Sequence, residues 1–194
     1  KEMGLSENKN ILLAGIVSRL DWQKGIDLIT QVAWEFLDKI QFVFLGVGDQ
    51  QITAMIKELA GNNSGKVVFI NEFNEEKAHK IYAASDIFLM PSRFEPCGLS
   101  QMIAMRYGSL PIVNRTGGLK DTVYYNPEDL PSSNGFAFDG PTPANLKSML
   151  GHVLSVYSSK ELFNAMIKNA MKTDFSWTKS SSEYMKIFKM LKEN

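Results

Sequence analysis

A chain of 194 residues is long enough for one domain with its own core, and a hydrophobic content of 44% is ordinary for a globular protein. Its 21 Lys plus Arg residues balance 21 Asp plus Glu, so a formal charge of zero leaves no global footprint for nucleic acid or an anionic membrane. One cysteine excludes an internal disulfide, and no apolar run approaches the ~18 residues that read as a membrane span. No signal peptide opens the chain, and Lys1 stands where a methionine would, so it reads as a fragment. The expected location is cytoplasmic, with a plastid protein shorn of its transit peptide as the alternative.

Residues 1–10 are polar and read as a linker from something upstream. Ile11–Val17 is a continuous apolar run, the mark of a strand covered on both faces. Ile26–Leu37 carries apolar residues at Ile26, Ile29, Val32, Ala33 and Phe36, an amphipathic helix. Gln41–Leu45 predicts a second strand, Ile52–Ala60 a helix, Val67–Ile70 a third strand and Glu75–Ala84 a helix. Ile87–Met90 predicts a fourth strand, Leu99–Tyr107 a helix stopped by Gly108, and Leu110–Val113 a fifth strand before the turn Thr116–Gly118. Asn126–Asn134 reads as a surface loop and Gly135–Phe138 as a sixth strand. From Pro143 three helical patterns follow, the last over Trp177–Leu191. Strands alternating with helices imply an α/β fold, a doubly wound parallel sheet of about six strands with helices on both faces.

The motif Pro91-Ser-Arg-Phe-Glu95-Pro-Cys-Gly-Leu-Ser100-Gln lies between a strand's carboxyl end and a helix's amino end. Ligands bind at that edge of an open α/β sheet, where free N–H groups and the helix dipole favour an anion. Glu95 conflicts with this, because an anion repels a carboxylate unless that carboxylate binds something else, such as sugar hydroxyls. Two more motifs stand near the ends of other strands, Ser18-Arg-Leu-Asp-Trp-Gln-Lys-Gly-Ile26 and Arg115-Thr-Gly-Gly-Leu-Lys-Asp-Thr-Val123. His79 and His152 have no partners at metal or triad spacing and read as structural. Gly46-Val-Gly48-Asp49 lacks the third glycine of a dinucleotide loop and follows the second strand, so that match is weak.

The set of Arg19 with Gln23-Lys24-Gly25, then Pro91 to Gln101, Ala104-Met-Arg-Tyr-Gly108 and Thr116 to Val123 resembles the bacterial glycogen synthases and plant starch synthases. These are retaining glycosyltransferases of the two-domain GT-B type. The resemblance covers nearly the whole chain but only the carboxyl-terminal, Rossmann-like half of such an enzyme. It implies residues 11–174 as a nucleotide-sugar-binding domain, with a helix at 175–194 whose aromatic set Phe175, Trp177, Tyr184 and Phe188 docks toward a missing amino-terminal domain. Packing of that helix on this domain is the alternative.

The resemblance implies ADP-glucose as donor, ADP as product, an α-1,4-glucan as acceptor, and neither metal nor further cofactor. Arg19 and Lys24, in the loop after the first strand, are placed to neutralise the diphosphate. Leu99 and Ser100 offer backbone N–H groups to phosphate oxygens, the Ser100 hydroxyl adding a bond or capping the helix. Gly98, Gly117 and Gly118, with Thr116, are expected where the chain comes close to phosphate or sugar. Glu95 would contact the sugar hydroxyls. Cys97 would line the sugar site, as a thiol buried by default and inert. Phe73 stands where the family carries a base-stacking aromatic, with core packing as its alternative. Many retaining GT-B enzymes have a second Glu eight residues after the first, where this chain has Ile103, as is normal for the glycogen and starch synthase branch. Three rivals remain: a UDP-glucose transferase of the same architecture, a noncatalytic nucleotide-binding module, and a nicotinamide-dependent oxidoreductase. The last predicts Gly-x-Gly-x-x-Gly after the first strand, where Arg19-Leu-Asp-Trp-Gln-Lys-Gly25 stands.

Overall fold

Continuous apolar runs cannot present a polar face to water, so each must be covered on both sides. In a computed structural model, which describes residues 2–8 and 10–193, six of them form one parallel sheet. The strands are β1 (Leu12–Val17), β2 (Ile40–Leu45), β3 (Val67–Ile70), β4 (Ile87–Met90), β5 (Leu110–Asn114) and β6 (Phe136–Phe138). Between and after them run α1 (Ile26–Val32), α2 (Gln50–Asn62), α3 (Glu75–Ala84), α4 (Ser100–Tyr107), α5 (Gly117–Thr122), α6 (Pro143–Ser158), α7 (Lys160–Lys172) and α8 (Trp177–Glu193). The order β3-β2-β1-β4-β5-β6 is the Rossmann-like doubly wound topology the alternation implied. Helix α1 packs on α2 and α6, and α4 on α3 and α7, covering the two faces. Phe42, Phe44, Phe88 and Phe136 are fully buried between the layers.

The chain order reverses between β1 and β4. There the register pairs only Ala14 with Ile87 and Gly15 with Phe88, and the two strands run on to Val17 and Met90 unpaired with each other. That divergence opens a crevice at the carboxyl edge, the place where an open α/β sheet receives its ligand.

Two elements differ from the sequence expectation. The helix expected over 26–37 ends at Val32 and tightens into a 3-10 turn over Ala33–Phe36, where Trp34 Nε1 donates to the Gln31 carbonyl at 2.8 Å and competes for a helical acceptor. The Thr116–Gly118 turn opens a short helix, α5. Phe175 packs against the core, but Trp177, Tyr184 and Phe188 are exposed, as are Met185, Ile187, Met190 and Leu191, so α8 does not simply pack on this domain.

In the expected linker, Met3 and Leu5 lie against Val43, Leu45 and Ile81, and the Ser6 N–H donates to the Gly65 carbonyl at 2.8 Å. Lys1 and Lys9 of that linker, and Asn194 of the expected carboxyl-terminal helix segment, fall outside the described residues. Among the described residues, no helix is long and apolar enough to cross a membrane.

Asp86 ties β1 to the start of β4. Its N–H donates to the Leu13 carbonyl at 2.9 Å, and its Oδ2 accepts from the Leu13 N–H at 2.8 Å. Burial raises its pKa, against the smaller lowering effects of the Leu13 bond and the Lys160 charge. An acid whose pKa rises on folding holds its proton more tightly in the native state, so its ionisation opposes folding. The penalty is absent below the unfolded value, about 4, and grows as pH climbs through the raised folded value. Asp86→Asn keeps an acceptor for Leu13 and is expected to raise the melting temperature at pH 7, with the gain fading toward pH 4. An unchanged or lower melting temperature at pH 7 would show that the charged bond to Leu13 outweighs desolvation.

Candidate functional site

The loop after β1 and the loop after β4 meet across the crevice, and each brings one half of an ion pair. Asp21 Oδ1 accepts from the Lys24 N–H at 3.0 Å and so opens the 3-10 turn Trp22–Lys24. Gly25 closes that turn at φ +68°, and a Cβ there would lie 2.2 Å from the Pro91 carbonyl oxygen, so only glycine lets the two loops touch. Lys24 then points at Glu95, with Nζ 2.6 Å from Oε2. Both side chains are nearly out of water, 18% and 7% exposed. A buried carboxylate needs such a partner.

Two further groups fix Glu95. Ser92 Oγ donates to Oε2 at 3.3 Å, and the Ser92 carbonyl accepts from Asn114 Nδ2 at 2.8 Å. On the other side the Gly118 N–H donates to the Glu95 carbonyl at 3.0 Å. Gly117, at φ +44°, brings its Cα so close that an added Cβ would lie 2.0 Å from the same oxygen. The close approach the two glycines permit is thus to Glu95 and Cys97 of the chain itself. Thr116 holds the N-cap position of α5 without a side-chain bond.

Arg19, Lys24, Ser92 and Ser100 line a cavity of 180 Å³ at this edge. The Arg19 side chain is 70% exposed and pairs with Asp21 at 3.2 Å. Ser100 does not cap α4. Leu99 takes the N-cap position, exposed and without a side-chain bond, and Ser100 follows as the first residue of the helix. The free N–H groups of the first turn of α4 stand beside the two cations, which makes this end of the crevice receptive to an anion.

Arg19 and Ser100 also border a second cavity, of 370 Å³, whose lining includes Phe73, His79, Tyr82 and Ile103. Phe73 is 89% exposed, which removes core packing as its role. His79 is exposed, its Nδ1 3.1 Å from the Tyr107 hydroxyl, and Tyr82 stacks near Tyr107. Burial raises the pKa of Tyr82. The sequence expectation that Cys97 is buried is wrong. Its thiol is exposed, because residues 96–98 form the outer rim of the loop rather than its packed side. Gly98 turns the chain into α4 above the Gln101 side chain, which is itself fully buried.

The residues missed by the sequence reading are those that hold the two loops together. Arg93 forms a two-pronged bond to Asp27, 2.7 Å on each arm, and its Nη1 donates to the Trp22 carbonyl at 2.7 Å. Its guanidinium lies 4.3 Å from the centre of the Trp22 ring. The Arg93 N–H donates to the Gln23 carbonyl at 2.8 Å, and Gln23 Nε2 returns a bond to the Phe94 carbonyl at 2.9 Å. Ser92 and Arg93 stand inside the Pro91–Gln101 motif, and that was the one signal available. Asp27, 66 positions from Arg93, gave none.

Residues 1–173 match the model of a family described as glycosyl transferases group 1. The glycogen synthase of Elusimicrobium minutum is 48% identical over 97% of this chain and 39% of that protein. That of Fervidobacterium nodosum is 45% identical over 99% of this chain and 40% of its own length. The chain therefore spans about 40% of the length of these curated relatives. Among solved structures, the catalytic domain of starch synthase IV from Arabidopsis thaliana, bound to ADP and acarbose, superposes with a TM-score of 0.87 at 34% identity, covering 97% of this chain and 40% of that one.

The Arg93–Asp27 pair is only 15% and 20% exposed, so removing one partner strands a charge. Arg93→Ala is expected to cost about 2–3 kcal/mol in chemical denaturation, with Asp27→Asn costing a similar amount. The double variant should lose little more than either single one. Additive losses would show that the two side chains act separately.

Proposed function

The chain belongs to the glycosyl transferases of group 1, and from that premise we propose that it is the donor-binding domain of a bacterial, cytoplasmic, retaining glycosyltransferase. The reaction proposed is transfer of glucose from ADP-glucose to the nonreducing end of an α-1,4-glucan, a reading supported in its coarser part by relatives named glycogen synthase. One observation carries this reading: two cations, a helix amino end and a buried carboxylate converge on the switch point of the sheet.

In this reading each group has a role that its chemistry suits. Arg19 and Lys24 neutralise the diphosphate, helped by the N–H groups at Leu99 and Ser100. Exposed Phe73 offers a ring face to the nucleobase. Glu95 accepts sugar hydroxyls, while Cys97, Gly98 and Thr116 to Gly118 shape the sugar end. A carboxylate already engaged by Lys24 and Ser92 is better suited to hold hydroxyls than to attack the anomeric carbon. The favoured mechanism is same-face attack, in which the departing diphosphate takes the acceptor's proton. The remaining length of such an enzyme would supply the acceptor site and cover the exposed aromatics of α8. Alone, this chain is expected to bind nucleotide and to catalyse almost no transfer.

Calorimetric titration with ADP, UDP and NAD tests the reading. ADP is expected to bind in preference to the other two. Because its side chain is largely in solvent, Arg19→Ala should leave the fold intact and weaken ADP on the order of tenfold. Lys24→Ala should weaken it at least as much. Preference for UDP would keep the donor site and change the sugar nucleotide. Binding of NAD that ignores both substitutions would overturn the reading.

A further inference from the structure

Both cations of the crevice already have carboxylate partners. Lys24 is paired with Glu95 and Arg19 with Asp21, so the four groups sum to zero charge before a ligand enters. The two pairs differ in one respect. Asp21 is partly exposed and flanks the outward-pointing Arg19. Glu95 is buried, held at its carboxylate by Lys24 and Ser92 and at its carbonyl by Gly118. It is thus held more firmly than Asp21 and stays beside Lys24 in the crevice.

An anion drawn to Lys24 therefore meets a fixed negative charge beside it. Its effect differs between the two states of the donor. In a nucleotide sugar the terminal phosphate is esterified, and the sugar carries hydroxyl donors that Glu95 can accept. On transfer, the bond from the anomeric carbon to the phosphate oxygen breaks and the acceptor oxygen bonds to that carbon. The acceptor's proton passes to the diphosphate. The released nucleoside diphosphate then loses that proton to solvent near neutral pH, because a terminal phosphate titrates around pH 6. It carries one more negative charge than the nucleotide sugar and offers no hydroxyl donors.

We infer that Glu95 determines specificity between substrate and product: its carboxylate favours the nucleotide sugar and repels the free nucleoside diphosphate. The inference rests on the donor-site reading above. It resolves the conflict visible in the sequence, a carboxylate placed at an anion site. The site tolerates Glu95 because Lys24 compensates it, and the residual repulsion falls on the product.

The test is titration of the protein with ADP, AMP and ADP-glucose, comparing wild type with Glu95→Gln, Glu95→Asp and Lys24→Gln. Glutamine keeps the size of the side chain and an acceptor for Lys24 while removing the charge. Glu95→Gln is expected to bind ADP on the order of tenfold more tightly, the size of one charge–charge repulsion across a hydrated crevice. Its affinity for ADP-glucose should not rise, and AMP, which lacks the terminal phosphate, should change little. Glu95→Asp keeps the charge and should keep the wild-type preference. Should Glu95→Gln fail to fold, the aspartate variant still decides, since a preference for ADP in that variant would contradict a charge effect. If Lys24→Gln weakens ADP but Glu95→Gln leaves it unchanged or weaker, the inference falls and the donor site stands. Failure of the wild type to bind ADP at all would overturn both.

Discussion

The arrangement depends on one ion pair across the switch point, between Lys24 and Glu95. Burying a carboxylate costs several kcal/mol unless a charged partner and further bonds replace its water. Lys24 supplies the partner and Ser92 a second bond. The geometry around them follows from that need. Gly25 permits the lysine loop to touch the backbone at Pro91, and Gly117 permits the loop after β5 to touch the backbone at Glu95. Three loops from three strands are thereby drawn onto one residue, Glu95.

The sheet alone would not hold them there. β1 and β4 share two register pairs, and their carboxyl ends part before either loop begins. The loops are joined by side chains instead, through Arg93 with Asp27 and Trp22 and through Gln23 with the Phe94 carbonyl. These contacts cross-brace the loops on either side of a crevice that the sheet topology opens. That is the condition under which donors aimed at a developing charge need no reorganisation when the charge appears.

The sequence made the strands legible because each is an apolar run with an abrupt polar boundary, and all six lie within a residue of their expected limits. Helix α5 was not legible, since Gly117 and Gly118 are poor helix formers. It forms because Gly118 bonds to Glu95 from outside and Thr122 Oγ1 bonds back to the Gly118 carbonyl at 2.8 Å. The motif residues Arg19, Lys24, Glu95 and Ser100 do come to one edge, as their positions at strand ends implied. Pairings such as Asp27 with Arg93 leave no trace in periodicity, because a single charged residue on a helix looks like a solvated one. Cys97 misled for a related reason. The usual burial of cysteine is a property of packed interiors, and the rim of a crevice is not one.

Position 103 lies in a cavity that already carries charges of both signs. Ile103 lines the cavity that Phe73 borders, beside Arg19 and Ser100. Glu72 and Glu75 line the same cavity, so a glutamate at 103 would be a third carboxylate on its wall. Arg19 on that wall is paired with Asp21, and Glu72 is paired with Lys77. An apolar side chain at 103 adds no charge to that wall, and the amino end of α4 beside it favours an anion.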